Sequence, residues 1–158
     1  MTQAPRRIVA PVTLGAESTQ IVSVAAALAE ALGAELVLAG IAPLAPPSRA
    51  MAETESITRL APDDEQRLID LLVRERLDEL SAGLPAAVRA RTVMEWGPLG
   101  PALVATAREE HADLIVVSMR RQNGWGHALH DQADRHVLHH SEVPVLIVPT
   151  HQQRARLR

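Results

Sequence analysis

Five short apolar runs rich in branched residues, each separated from the next by a helix-compatible stretch, constrain this 158-residue chain more than any other feature. They read RRIVAPV (6–12), ELVLAGIA (35–42), VRARTVM (88–94), DLIVVSM (113–119) and VPVLIVP (143–149). Runs of this length without strict alternation are the pattern of strands covered on both faces. The third does alternate, with Arg89 and Arg91 on one face of its first half, and Pro144 and Pro149 bracket the fifth. Proline cannot donate to a strand ladder, so the third and fifth runs are expected at sheet edges.

The intervening segments carry helical spacing. Residues 16–33 place Ile21, Val24, Ala25, Leu28 and Leu32 on one stripe, with Gly33 as the stop. Residues 62–83 open with Pro62 and three acids, suited to a helix start, and align Ile69, Leu72, Val73, Leu77 and Leu80 before Gly83. Residues 97–112 set Pro101 near a helix start with Leu103, Val104 and Ala107 facing inward, and a last helix spans about 131–140. The segment from Pro43 to Thr58 mixes prolines with small polar residues and reads as a loop. Strand and helix therefore alternate throughout, which predicts an α/β fold: a single doubly wound domain with a parallel sheet and helices on both faces. The domain is expected over residues 1–150, followed by a disordered basic tail, 151–158.

Composition narrows the function. There is no Lys and no Cys, which excludes Lys nucleophiles, a P-loop lysine, disulfides and thiolate chemistry. Only Trp96 and Trp125 are aromatic and the formal charge is −3, so neither base stacking nor electrostatic attraction recommends nucleic acid as a partner. No segment approaches the roughly 18 apolar residues of a membrane span, and the first residues lack an apolar leader. The expectation is a cytoplasmic protein with no membrane partner.

Six of the seven His residues fall between His111 and His140, and His136 with His140 has the spacing that shares a helix face, as does His130 with Asp134. No further converging ligand is identifiable, so the pattern is assigned to a solvated helix face and no metal is expected. Ser118, His127 and Asp131 are the residue types of a hydrolytic triad, but VVSMR lacks the small residues of a nucleophile elbow. No catalytic residue is expected.

The quoted segments carry a resemblance. RRIVAPVTLGAES resembles the opening strand and turn of the universal stress protein family, HADLIVVSM its fourth strand, and RHVLHHSEVPVLIVP its closing helix and strand. The resemblance covers nearly the whole chain. It implies a five-stranded parallel sheet in the order 3-2-1-4-5, and a homodimer joined through the fifth strands, whose apolar positions here are Val143, Val145 and Ile147. An unpaired flat edge of this kind invites a two-fold partner. That strand order reverses between strands 1 and 4, where Pro11, Val12 and Thr13 end one strand and Ser118 the other; ligand crevices open at such reversals.

Nucleotide-binding members carry Gly, two residues, Gly, nine residues, Gly, then Ser or Thr. Counted back from Pro144 without gaps, those positions are Ser118, Arg121, Asp131 and Gln132 here, and the acid such members place after the first strand is Thr13. Gly124 and Gly126 lie between the pattern positions, with Trp125 as a packing residue. A phosphate cradle needs glycine for close backbone approach, whereas Asp131 at a helix start can cap the N–H groups a phosphate would use. The resemblance is therefore to the universal stress protein A class, which is not expected to bind ATP. The chain is read as a non-catalytic stress-response homodimer acting on an unidentified protein partner, without a cofactor. The competing reading is a nucleotide-binding regulator or slow ATPase that takes ATP with Mg and uses Arg120 and Arg121 as phosphate contacts.

Overall fold

The computed structural model describes residues 3–44, 62–120 and 132–150. Along the chain it forms β1 (Arg7–Val12), α1 (Glu17–Leu32), β2 (Glu35–Ala42), α2 (Pro62–Ala82), β3 (Arg89–Trp96), α3 (Leu99–Glu109), β4 (Leu114–Arg120), α4 (Gln132–His140) and β5 (Val145–Thr150). The sheet is parallel throughout and ordered β3-β2-β1-β4-β5. The expected order and both expected edges are therefore present. Among the described residues, no helix is long and apolar enough to cross a membrane.

Successive strand side chains point to opposite faces, so each buried strand feeds two cores. Ile8, Ala10, Leu36, Leu38, Leu114 and Val116 face one layer and meet Ile21, Val22, Ala25, Ala26 and Ala29 of α1 and Leu77 of α2. Val9, Val37, Ala39, Ile115 and Val117 face the other and meet Leu103, Val104 and Ala107 of α3 and Val137 of α4. Val9, Leu36, Leu38, Leu103 and Ile115 are completely buried, each side chain contributing roughly 1.5–3 kcal/mol by leaving water. These central strands have no exposed face, which is why their sequences do not alternate.

Three details depart from the sequence expectation. On α1 the inner face is Ile21, Val22, Ala25, Ala26 and Ala29, while Leu32 is exposed and Val24 and Leu28 are half-buried. The small alanines let the helix lie close to the sheet, so the larger side chains splay to its flanks. On α2 only Val73 and Leu77 of the expected stripe are fully buried and Leu72 is 40% exposed, because α2 sits over the edge pair β2 and β3. Val143 lies before β5 rather than in it: the Ser141 hydroxyl donates to the Val143 carbonyl (2.7 Å) and accepts from its N–H (3.2 Å), engaging both backbone groups ahead of the ladder.

Candidate functional site

The β1–β4 ladder is in register only at Ile8 with Leu114 and Val9 with Ile115, the amino-terminal parts of both strands. Beyond it a crevice opens at the carboxyl ends, the place where a doubly wound sheet reverses and receives ligands. Pro11, Thr13, Glu17, Ser18, Leu103 and Ser118 contribute to its walls, and its free volume is about 20 Å³, the room of a single water. Val12, the neighbour of Pro11 and Thr13, turns the other way and is fully buried in the α1/α2 layer.

At the end of β1 a short hydroxyl clasp closes the chain on itself. The Ser18 hydroxyl accepts from the Thr13 N–H (2.9 Å) and donates to the Thr13 carbonyl (3.1 Å), while the Thr13 hydroxyl oxygen accepts from the Gly15 N–H (3.1 Å). Ser18 is 1% exposed. Its burial is tolerable because these bonds satisfy the hydroxyl. Glu17 begins α1, where a carboxylate complements the positive end of the helix dipole, and it folds back over Gly15, whose missing side chain leaves the space. Neither Glu17 nor Ser18 was singled out from the sequence. The signal available was a serine on the inner face of α1, three residues before Ile21.

On the β4 side, the strand runs one residue beyond the expected run 113–119, to Arg120. Ser118 stands opposite Val148 of β5, Met119 opposite Pro149 and Arg120 opposite Thr150. Position 118, the first of the four glycine-pattern positions, is thus held in a ladder. Gln132 is the first residue of α4. Arg121, Gly124, Trp125, Gly126, His127, His130 and Asp131, together with residues 45–61 and the tail 151–158, lie outside the described residues.

The charges gather at the opposite end of the sheet. Glu35 accepts from Arg7 (3.1 Å) and Arg91 (2.8 Å), Arg91 also pairs with Glu110, and Arg7 donates to the Glu110 carbonyl (2.6 Å). Asp113 accepts from the N–H groups of Arg6 (2.9 Å) and Arg7 (3.0 Å). Partial burial pushes the Glu35 carboxyl up, but the hydrogen bonds and charges of Arg7 and Arg91 outweigh it and hold the group below its ordinary value. On α4, the His136 and His140 rings stack with centroids 4.1 Å apart. Among the described residues, no three His, Asp or Glu side chains converge as a metal site would require.

The two edges of the sheet differ. Edge strand β3 exposes Arg89 and Arg91, whereas β5 carries no charge, with Val145 and Ile147 half-buried against the α3/α4 layer and Leu146 37% exposed.

Comparison with known proteins gives consistent results. A model of the universal stress protein family matches residues 5–149. A universal stress protein from Burkholderia pseudomallei superposes with a TM-score of 0.69 over 92% of this chain and 96% of its own, at 19% identity. Universal stress protein UspA from Lactobacillus plantarum superposes at 0.64, over 92% and 99%, with 17% identity. A universal stress protein in complex with cAMP superposes at 0.57, over 93% and 98%, with 21% identity. At such identities the likeness is one of fold. None of the curated protein sequences compared matches the chain.

Proposed function

Because the chain belongs to the universal stress protein family, by the match over residues 5–149, we propose that it is a non-catalytic member whose nucleotide crevice is closed by its own residues. It works in the cytoplasm as a homodimer, through contacts with a protein partner. The observation that carries this reading is the state of the crevice floor. A phosphate site depends on unengaged backbone N–H groups and a chain free to turn. Here the Thr13 and Gly15 N–H groups are taken by the Thr13–Ser18 clasp, and Ser118 is held opposite Val148. The sequence adds a carboxylate, Asp131, directly before α4, where it opposes an incoming anion.

The homodimer reading rests on the contrast between the two edges. Arginines on β3 discourage strand addition, and the uncharged β5 invites it; a two-fold axis would pair two β5 strands antiparallel.

A second reading, a nucleotide-binding regulator, is favoured by one feature. Glu17 and Ser118 both line the crevice, a carboxylate and a hydroxyl residue of the types that recognise a nucleoside. Mass spectrometry of the protein as purified separates the two. The proposed function expects no nucleotide to co-purify; a stoichiometric adenine nucleotide establishes the second reading. Sedimentation tests the dimer: twice the 17.1 kDa monomer mass is expected, and a monomer at high concentration rejects it.

A further inference from the structure

Two helices of this chain end in the same way but with different residues. α1 closes with Ala34 N–H on the Ala29 carbonyl (2.8 Å) and Gly33 N–H on that of Glu30 (3.3 Å), and Gly33 takes the left-handed conformation at φ 63°. α3 closes identically, with Ala112 N–H on Ala107 (2.8 Å) and His111 N–H on Arg108 (3.1 Å), but the left-handed residue is His111, at φ 51°. Among the described residues it is the one non-glycine with positive φ. Glycine is the favoured residue there, and a side chain held in that region is strained. The imidazole therefore occupies a position that local preference would give to glycine.

Gly33 and His111 border the same open groove, a space of about 620 Å³ across the amino ends of the strands, whose walls also include Arg6, Arg89, Glu35 and Asp113. The carboxylates are already engaged: Glu35 by Arg7 and Arg91, and Asp113 by two backbone N–H groups. Three cationic or ring donors are largely uncommitted. The Arg6 guanidinium and the His111 ring have no partner among the described residues, and Arg89 makes one hydrogen bond, to the Gly33 carbonyl (3.2 Å). Neighbouring strands lie about 4.8 Å apart. Arg89 on β3, Arg6 before β1 and His111 before β4 therefore stand at successive places along the groove, within reach of one another through long side chains.

We propose that this groove is an anion site for a diphosphate group, free or carried on a larger molecule, held by Arg6, Arg89 and His111. Guanidinium groups bind phosphoryl oxygens bidentately, and two linked phosphates match donors spread over several strands better than one does. The groove lies at the opposite end of the sheet from the crevice, so the proposal does not depend on the state of the crevice.

The test is calorimetric titration of the full-length protein with inorganic pyrophosphate, and separately with ADP, on the unaltered chain, on Arg6→Ala with Arg89→Ala, and on His111→Gly. Pyrophosphate is expected to bind, with affinity falling about tenfold or more in the arginine double variant. His111→Gly is expected to bind several-fold more weakly while melting about 2–4 °C higher, an opposition that a purely structural role for the histidine does not produce. ADP binding that is lost in the same variants shows that the diphosphate can be carried; pyrophosphate binding without ADP binding shows that the free anion is preferred. Absence of pyrophosphate binding at millimolar concentration overturns the proposal, as does undiminished affinity in the arginine variant or in His111→Gly. ADP binding that survives the arginine change belongs to the crevice and counts against the proposed function instead.

Discussion

The two ends of the sheet are built from opposite materials. At the amino end, Arg7, Glu35, Arg91 and Glu110 form a linked ionic network bordered by further cations. At the carboxyl end, between β1 and β4, the work is done by neutral hydroxyls: Thr13 and Ser18 satisfy one another and the surrounding backbone. The topology directs ligands to the second end, because only there do the ladders part. Yet at that end the Thr13 and Gly15 N–H groups are already engaged. On the function proposed above, the fold preserves the position of a site while its chemistry is withdrawn, and the N–H groups that remain free are what distinguish the two.

The sharpest way to break this contrast is to reopen the neutral end. Changing Ser118, Arg121 and Asp131 to Gly and Gln132 to Ser is expected to raise affinity for Mg-ATP by about a hundredfold or more, roughly 2.7 kcal/mol, measured by calorimetry. Unchanged affinity would place the block in the β1 clasp. Next in size, Ser18→Ala leaves the half-buried Thr13 N–H without its acceptor and should destabilise the protein by about 1.5 kcal/mol, lowering the melting temperature by about 3–6 °C. A loss under about 0.5 kcal/mol would show that the clasp is dispensable.

At the charged end, Glu35→Gln should cost about 1 kcal/mol at pH 7 in urea unfolding. The Glu35 carboxyl has a lowered pKa when folded, so its stabilisation is complete above its ordinary value of 4.5 and is lost as pH falls through the lower folded value. The gap between variant and parent should therefore close in acid. A gap independent of pH would mean that packing, and not charge, is what the substitution removes. Smallest of all, Arg108→Ala removes an ion pair with Glu142 whose side chains are 64% and 72% exposed, and no measurable change in melting temperature is expected.

How far the sequence foretold these ends follows from how local each signal is. Strand positions were legible because Ile8, Val9, Leu36, Val37, Ile115 and Val116 are buried and their strands, covered on both faces, write continuous apolar runs, whereas the sheet order came only with the family resemblance of the quoted segments. The exposure of Leu32 and Leu72 was not, since the first depends on how closely the alanines of α1 approach the sheet and the second on α2 lying over the edge pair β2 and β3. The β4 extension to Arg120 depends on pairing with β5, a contact some thirty positions distant in sequence. The crevice was located from the β1–β4 reversal, but the Ser18 hydroxyl that closes its floor escaped notice, because a serine among apolar helix residues announces burial only once the sheet beneath it is known. The ionic network likewise joins residues as far apart as Arg7 and Glu110, which no spacing rule brings together.

The most direct test of the closed crevice is titration of the unaltered, nucleotide-free protein with Mg-ATP, followed by calorimetry and by the amide signals of Thr13, Gly15 and Ser118. The account predicts no saturable heat up to millimolar nucleotide and unmoved signals at all three residues. Micromolar binding that shifts the Thr13 and Gly15 amides would contradict it.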